Sequence, residues 1–145
     1  ADSQSSSQIG DISRFRGVNL ITPTEREARI SSRNHEDGLV VLVQHLKKLS
    51  SAHNIFLKMG EEGMLIYSGD TNGNELLTDS ISALNTSPRD VAGAGDSLLI
   101  SGALTMTAGG SIWEAALIGS LAAAIQVGRV GNTPLQSKEL LKELT

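Results

Sequence analysis

A carboxylate beside a glycine-rich turn carries the most chemistry in this chain: Asp90-Val91-Ala92-Gly93-Ala94-Gly95-Asp96. The segment ends a polar stretch and opens a long apolar helix, predicted from Ser97 to Ala108. Small residues at Gly93, Ala94 and Gly95 let backbone N–H groups turn toward one spot, and the helix dipole adds partial positive charge there. Together they make an anion site suited to phosphate. A phosphate cradle alone has no use for a carboxylate. A site that also takes a proton from an attacking hydroxyl does, and Asp96 fits that base. The same residues also serve a fold without chemistry, Gly-Ala-Gly as a tight turn and Asp as a first-turn partner of the dipole.

Two further segments could contribute. Thr22-Pro23-Thr24-Glu25-Arg26-Glu27 starts a predicted helix, with Thr22 as N-cap, Pro23 at the first helical position and Glu25 completing a capping box. Lys58-Met59-Gly60-Glu61-Glu62-Gly63 contains the tight turn between two predicted strands, Asn54 to Met59 and Met64 to Ser68.

The elements that position these segments follow from periodicity. Residues 2 to 13 are rich in Ser, Gln and Asp and predict a loop. Asn19-Leu20-Ile21 predicts a short strand. A helix is expected from Asp37 to Ser51, with Leu39, Leu42, Val43, Leu46 and Leu49 on one face. Gly69 to Gly73 predicts a turn, Glu75 to Thr78 a third strand, and Leu84 to Asp90 an extended connection. Ser111-Ile112-Trp113-Glu114 is another capping box, opening a helix to about Gly128 that is apolar on several faces and so expected to be buried. Gly128 and Gly131 can end it, and Ser137 to Leu144 predicts a last helix. A helix, then strands, then buried helices predicts a three-layer α/β/α arrangement.

Composition excludes several classes. A net charge of −4 lacks the basic footprint of a nucleic-acid binder. The absence of cysteine excludes disulfides and thiolate metal sites. His35, His45 and His53 show no metal-ligand spacing and are expected at the surface. No signal-peptide pattern opens the chain, and Ala115 to Val127, its most apolar run, is short and interrupted by Gly119, Ser120 and Gln126. No membrane partner is expected, and the simplest address is the cytoplasm. Aromatic residues make up only 3%, so Leu, Ile, Val and Ala must build the core of the single domain that 145 residues allow.

The glycine segment resembles the signature of the ribokinase-like carbohydrate kinases, the phosphofructokinase-B type: Asp-Thr-x-Gly-Ala-Gly-Asp followed by a small and apolar helix. Val91 stands where that pattern has Thr, and Gly93 to Asp96 is intact. Thr22 to Glu27 resembles a second element, Thr-Pro-Asn-x-x-Glu, with Thr24 in place of Asn. Lys58 to Gly63 resembles a third, Thr-Leu-Gly-x-x-Gly, with Lys58 in place of Thr. All three occur in family order. Phe15-Arg16-Gly17 and Ala122 to Thr133 are similar to the heptose-phosphate kinase branch, which phosphorylates a sugar phosphate for bacterial lipopolysaccharide. Asp2-Ser3-Gln4 departs from that branch's Asp-Pro-Lys.

The resemblance covers the chain but only the C-terminal half of such a kinase, and so implies a fragment, residues 1–145, that is the nucleotide-binding and catalytic half. It implies ATP and Mg2+ as cofactors and a sugar or sugar phosphate as acceptor. Asp96 would be the base, and the N–H groups of Gly93, Ala94 and Gly95 the anion donors. Thr24, Glu27, Lys58, Gly60 and Gly63 would line the nucleotide, with Glu27 reaching the metal through water. The full-length protein could be a homodimer through a lid outside this chain. Two alternatives stay open: a nucleotide-binding module of the same fold without catalysis, and a protein that keeps the fold for structure or interaction alone.

Overall fold

The computed structural model describes residues 1–3, 10–69 and 77–145, and the predicted turn at 70–73 lies outside them. The described residues form two compact units, Ala1–Ser80 and Ile81–Thr145.

The first unit is built on a sheet of strands β1 (Leu20–Ile21), β2 (Asn54–Lys58), β3 (Met64–Ser68) and β4 (Leu77–Ile81), in that order. β1 lies parallel to β2, with Leu20 opposite Asn54, and β2 and β3 form an antiparallel hairpin, with Ile55 opposite Tyr67. The third predicted strand is present over Leu77 to Ile81, past its expected end at Thr78, and residues 75 and 76 lie outside the described residues. Helices α1 (Glu25–Ser32) and α2 (Leu39–Ser50) accompany the sheet. Leu42, Val43 and Leu46 of α2 are fully buried with Ala28 of α1 and with Ile21, Ile55 and Leu57 of the strands. The i, i+1, i+4 stripe on α2 and the alternation of Ile55 and Leu57 on β2 produce that cluster.

The start of α1 corrects the expected cap. Thr24, not Thr22, is the N-cap, and Glu27, not Glu25, completes the capping box. The sheet decides this. Lys58 N–H donates to the Pro23 carbonyl at 2.8 Å, and Thr24 bridges Lys58 in parallel. Extended pairing along β2 therefore runs through residue 24, and the helix cannot begin earlier. Likewise α2 starts after Gly38 rather than at Asp37, because the Asp37 carboxylate and N–H are taken by the Asn34 side chain. Of the histidines, His35 and His53 are exposed, while His45 on α2 is half-buried, a departure from the expected surface position.

The second unit is helical. α3 (Ala94–Thr107) and α4 (Ile112–Val127) pack against each other, and α5 (Ser137–Leu144) packs on α4. Gly119 permits the α3–α4 approach, since a Cβ there would lie 3.0 Å from the Leu98 carbonyl. The Ser111–Glu114 capping box is present as predicted. Total burial of α4 is not. Ala115, Ala116, Gly119, Ala122 and Gln126 are buried, while Trp113 and Leu117 are exposed. Three helices in so short a unit cannot enclose one of their own. The segment before α3 docks on the end of α4: Arg89 and Asp90 both donate their N–H to the Val127 carbonyl, at 2.7 and 3.2 Å. No helix among the described residues is long and apolar enough to cross a membrane.

Candidate functional site

In the first unit the capping box fixes Thr24 and Glu27. Thr24 N–H donates to Glu27 Oε2 at 2.8 Å, and Glu27 N–H donates to the Thr24 hydroxyl at 3.2 Å. Glu27 is buried, at 7% exposure. One carboxylate oxygen of Glu27 is thus committed to the helix start, and the other is left for a further donor or a hydrated metal. Lys58 is not a free cation: its Nζ lies 3.0 Å from Asp2 Oδ2. Burial pushes the Asp2 carboxyl above its ordinary range, and the Lys58 ammonium pulls it back part of the way. Gly60 (φ +62°) and Gly63 (φ +99°) hold the turn between β2 and β3. The turn closes through Gly63 N–H to the Gly60 carbonyl at 3.1 Å and Met59 N–H to the Gly63 carbonyl at 2.8 Å.

A cavity of about 600 Å³ opens beside these residues, lined by Thr24, Lys58 and Gly60 together with Arg26, Arg29 and His35. Glu27 and Gly63 are not among its lining residues. Arg29 pairs with Glu25 at 2.8 Å and donates to the Asp37 carbonyl at 3.1 Å, so it is held in place rather than free. Arg26 is exposed and makes no ion pair among the described residues. Basic groups on one wall and a polar turn on the other suit an anionic ligand. Sequence reasoning did not single out Arg26, Arg29 or His35. The only signal was the i, i+3 spacing of the two arginines on α1.

In the second unit Gly93 is the N-cap of α3, at φ +76°, so the helix begins at Ala94 and not at Ser97 as expected. Gly95 and Asp96 therefore stand in its first turn. Ala94 N–H donates to the Val91 carbonyl at 3.3 Å. The N–H groups of Gly93, Gly95 and Asp96 have no such partner among the described residues. Unpaired first-turn amides are what an anion site needs. The Asp96 side chain is exposed beside them.

A second set of contacts fixes this turn from behind. Asp90 Oδ1 accepts from Ala92 N–H at 2.9 Å, and Oδ2 accepts from Gly131 N–H at 3.0 Å. These two N–H groups hold the Asp90 carboxyl below its ordinary range. Gln126 Nε2 reaches the Ala92 carbonyl and the Gly131 carbonyl, both at 3.3 Å, and Asn132 Oδ1 at 3.4 Å. Gly93 backs onto Asn132 so closely that a Cβ would fall 2.2 Å from Asn132 Oδ1. Nothing in the spacing of the sequence singled out Gln126 except that it interrupts an apolar run.

Compared with known proteins, residues 2–138 match the pfkB family carbohydrate kinase. The chain is 32% identical over 137 residues to the bifunctional protein HldE of Shewanella sediminis, covering 93% of this chain and 28% of that protein. HldE relatives agree with the heptose-phosphate lean carried by Phe15 to Gly17 and Ala122 to Thr133. Ribokinase from Thermotoga maritima superposes with a TM-score of 0.72 at 25% identity, covering 87% of this chain and 42% of that one. Arabidopsis thaliana ribokinase, solved with ribose and ATP, gives 0.71 at 22% identity, covering 87% and 40%. The fold is the ribokinase-like α/β fold that was expected. The chain spans little more than a quarter of the length of the curated relatives it matches.

Proposed function

We propose, since the chain belongs to the pfkB family of carbohydrate kinases, that it serves transfer of the γ-phosphoryl group of ATP to a hydroxyl of a sugar or sugar phosphate, a heptose phosphate first among them. The observation that carries the reading is the start of α3. A glycine held at φ +76° opens a helix whose Gly95 and Asp96 amides are unpaired, with a carboxylate three residues on. Residues 1–145 act in this reading as the nucleotide-binding and catalytic part of a longer kinase that works in the cytoplasm. Acceptor contacts come from chain beyond these residues, so the isolated segment is expected to bind nucleotide without turning over. A homodimer of the full-length protein is part of the same reading.

In the reaction, Asp96 accepts the proton of the attacking hydroxyl. The N–H groups of Gly93 and Gly95 hold negative charge that develops on the transferred group, and being fixed by the turn they need little rearrangement. Phosphoryl transfer asks little more of a protein than positioning and charge stabilisation. Magnesium would neutralise phosphate oxygens when bound. One oxygen of the buried Glu27 is uncommitted and would reach the ion through water. An ion that keeps its waters and phosphate ligands needs no more protein than that. Lys58, paired with Asp2, and Arg29, paired with Glu25, are held cations on the wall of the first unit's cavity, where an anionic group would meet them.

Magnesium-dependent ATP binding by calorimetry tests the reading, on the chain and on Gly95→Val. Binding by the parent that the variant loses supports a nucleotide at the start of α3. Binding retained in full by a folded Gly95→Val variant removes the anion-site role.

A further inference from the structure

Gln126 is the only amide in α4, a helix otherwise apolar or small beyond its first turn. It is 1% exposed. Burying an amide in an apolar helix is costly unless its polar atoms are used. Its nitrogen is used in an unusual way. It lies among three oxygens, the carbonyls of Ala92 and Gly131 and the side-chain oxygen of Asn132, at 3.3, 3.3 and 3.4 Å. These are longer than single ideal bonds, so the nitrogen is shared among the three rather than committed to one. The amide orientation is fixed by the same contacts, because the flipped form would set an acceptor against three acceptors. Gln126 Oε1 has no partner among the described residues, which sharpens the point: the side chain is kept for its nitrogen.

The oxygens belong to two segments that Asp90 also holds. Asp90 takes the N–H of Ala92 and the N–H of Gly131, while Gln126 takes the C=O of Ala92 and the C=O of Gly131. A peptide group is planar, so fixing the Ala92 carbonyl fixes the direction of the Gly93 N–H on the other side of the same bond.

We propose that Gln126 is the positioning residue of the glycine turn: by holding the Ala92 and Gly131 carbonyls it aims the Gly93 N–H and locks the turn to the segment after α4. Gln126 itself touches no phosphate. The inference rests on the phosphoryl-transfer reading for its purpose, but the clamp is measurable without it.

The test has three readouts on the full chain. First, in the unaltered protein, NMR of the Gln126 side-chain amide should show exchange about a hundredfold slower than that of the exposed Gln136. Comparable rates overturn the clamp, whatever any variant does. Second, Gln126→Met keeps the volume and removes the donors. Backbone exchange at Ala92 and Gly131, whose N–H groups donate to Asp90, should accelerate about tenfold, and ATP affinity should fall by a similar factor. Unchanged exchange at both amides overturns the proposal. Third, Gln126→Ala leaves an oxygen-lined hole that ammonium can enter and tetramethylammonium cannot. Recovery of Ala92 protection by ammonium alone supports the clamp, because a general loss of packing would not respond to the size of the cation. If the parent binds no ATP, the functional reading fails while the exchange measurements still decide the clamp.

Discussion

Replacing Gly93 with Ala separates backbone strain from packing at the centre of the proposed site. The left-handed conformation at φ +76° costs a residue with a Cβ about 1–2 kcal/mol. The new Cβ would also fall 2.2 Å from Asn132 Oδ1 and 2.7 Å from its Cγ. Reaching ordinary contact requires the Asn132 side chain to withdraw by about 1 Å. Asn132 is exposed and can swing outward, giving up only a 3.4 Å contact with Gln126. The clash should therefore add a few tenths of a kcal/mol, for a total of about 2 kcal/mol, most of it strain. Gly109 is the control. It has φ +92° with nothing within 4 Å of its Cβ position, so Gly109→Ala carries strain alone. Urea unfolding followed by circular dichroism should place the two variants within about 0.5 kcal/mol of each other. Introducing Asn132→Gly beneath Gly93→Ala should recover only the smaller part. A Gly93→Ala variant as stable as the parent would refute the left-handed turn. A loss above about 4 kcal/mol, relieved by Asn132→Gly, would show that packing rather than strain governs the loop.

Asp96→Asn should abolish phosphoryl transfer in the full-length kinase and leave magnesium-dependent ATP binding within about threefold; joint loss of both would make Asp96 structural. Glu27→Gln retains an acceptor for the Thr24 N–H and should leave stability near the parent value, while Glu27→Ala should cost about 1 kcal/mol by opening the cap. Both should weaken the magnesium dependence of ATP binding, so equal magnesium titrations for Glu27→Gln and the parent would remove Glu27 from the metal. Because the Ala92 and Gly131 N–H groups hold the Asp90 carboxyl below its ordinary range, the contacts it makes are fully present above the usual carboxylate range. They are lost as pH falls through the lowered value. Exchange protection at Ala92 and Gly131 should thus survive to mild acid and vanish below it, and Asp90→Asn should flatten that profile.

The parts of the fold that were legible in the sequence are those set by local pattern. The α2 stripe of Leu42, Val43 and Leu46 gave its buried face, and Ser111 with Glu114 gave the start of α4. The misplacements share a different cause. Thr22 with Glu25 and Thr24 with Glu27 fit the same capping pattern, and only pairing of the Pro23 carbonyl with Lys58, 35 residues away, selects the second. Gly-Ala-Gly reads as loop because glycine is a poor helix former, yet only Gly93 needs its freedom. Gly95 sits in a first turn, where its N–H has no intrahelical partner in any case. The role of Gln126 was invisible because its partners are carbonyls on two loops, and sequence carries no record of where a carbonyl points.

Thr24, Gly60 and Gly63 each do something the fold requires: a cap and the two positive-φ corners of a turn. Their occurrence in family order identifies the fold, but any protein with this backbone would want them for structure. Glu27 is different in degree, since the cap uses one of its oxygens and leaves the other. Asp96 is different in kind. No side chain caps the α3 N-terminus, and the Asp96 carboxylate accepts no hydrogen bond from its own chain among the described residues. Exposure there yields at most the modest dipole interaction of a first-turn acid, worth about 0.3–1 kcal/mol, which Glu would serve nearly as well. One carboxylate that the fold does not use, standing beside the Gly93, Gly95 and Asp96 amides that the fold leaves unpaired, therefore speaks for chemistry more than the number of motif residues matched. Asp96→Glu sharpens the distinction. It preserves the dipole interaction and should leave stability unchanged, yet it moves the carboxylate by one methylene and should cost transfer at least about a hundredfold if position at the reacting hydroxyl is what Asp96 supplies. Full transfer by the glutamate variant would return Asp96 to the structural set.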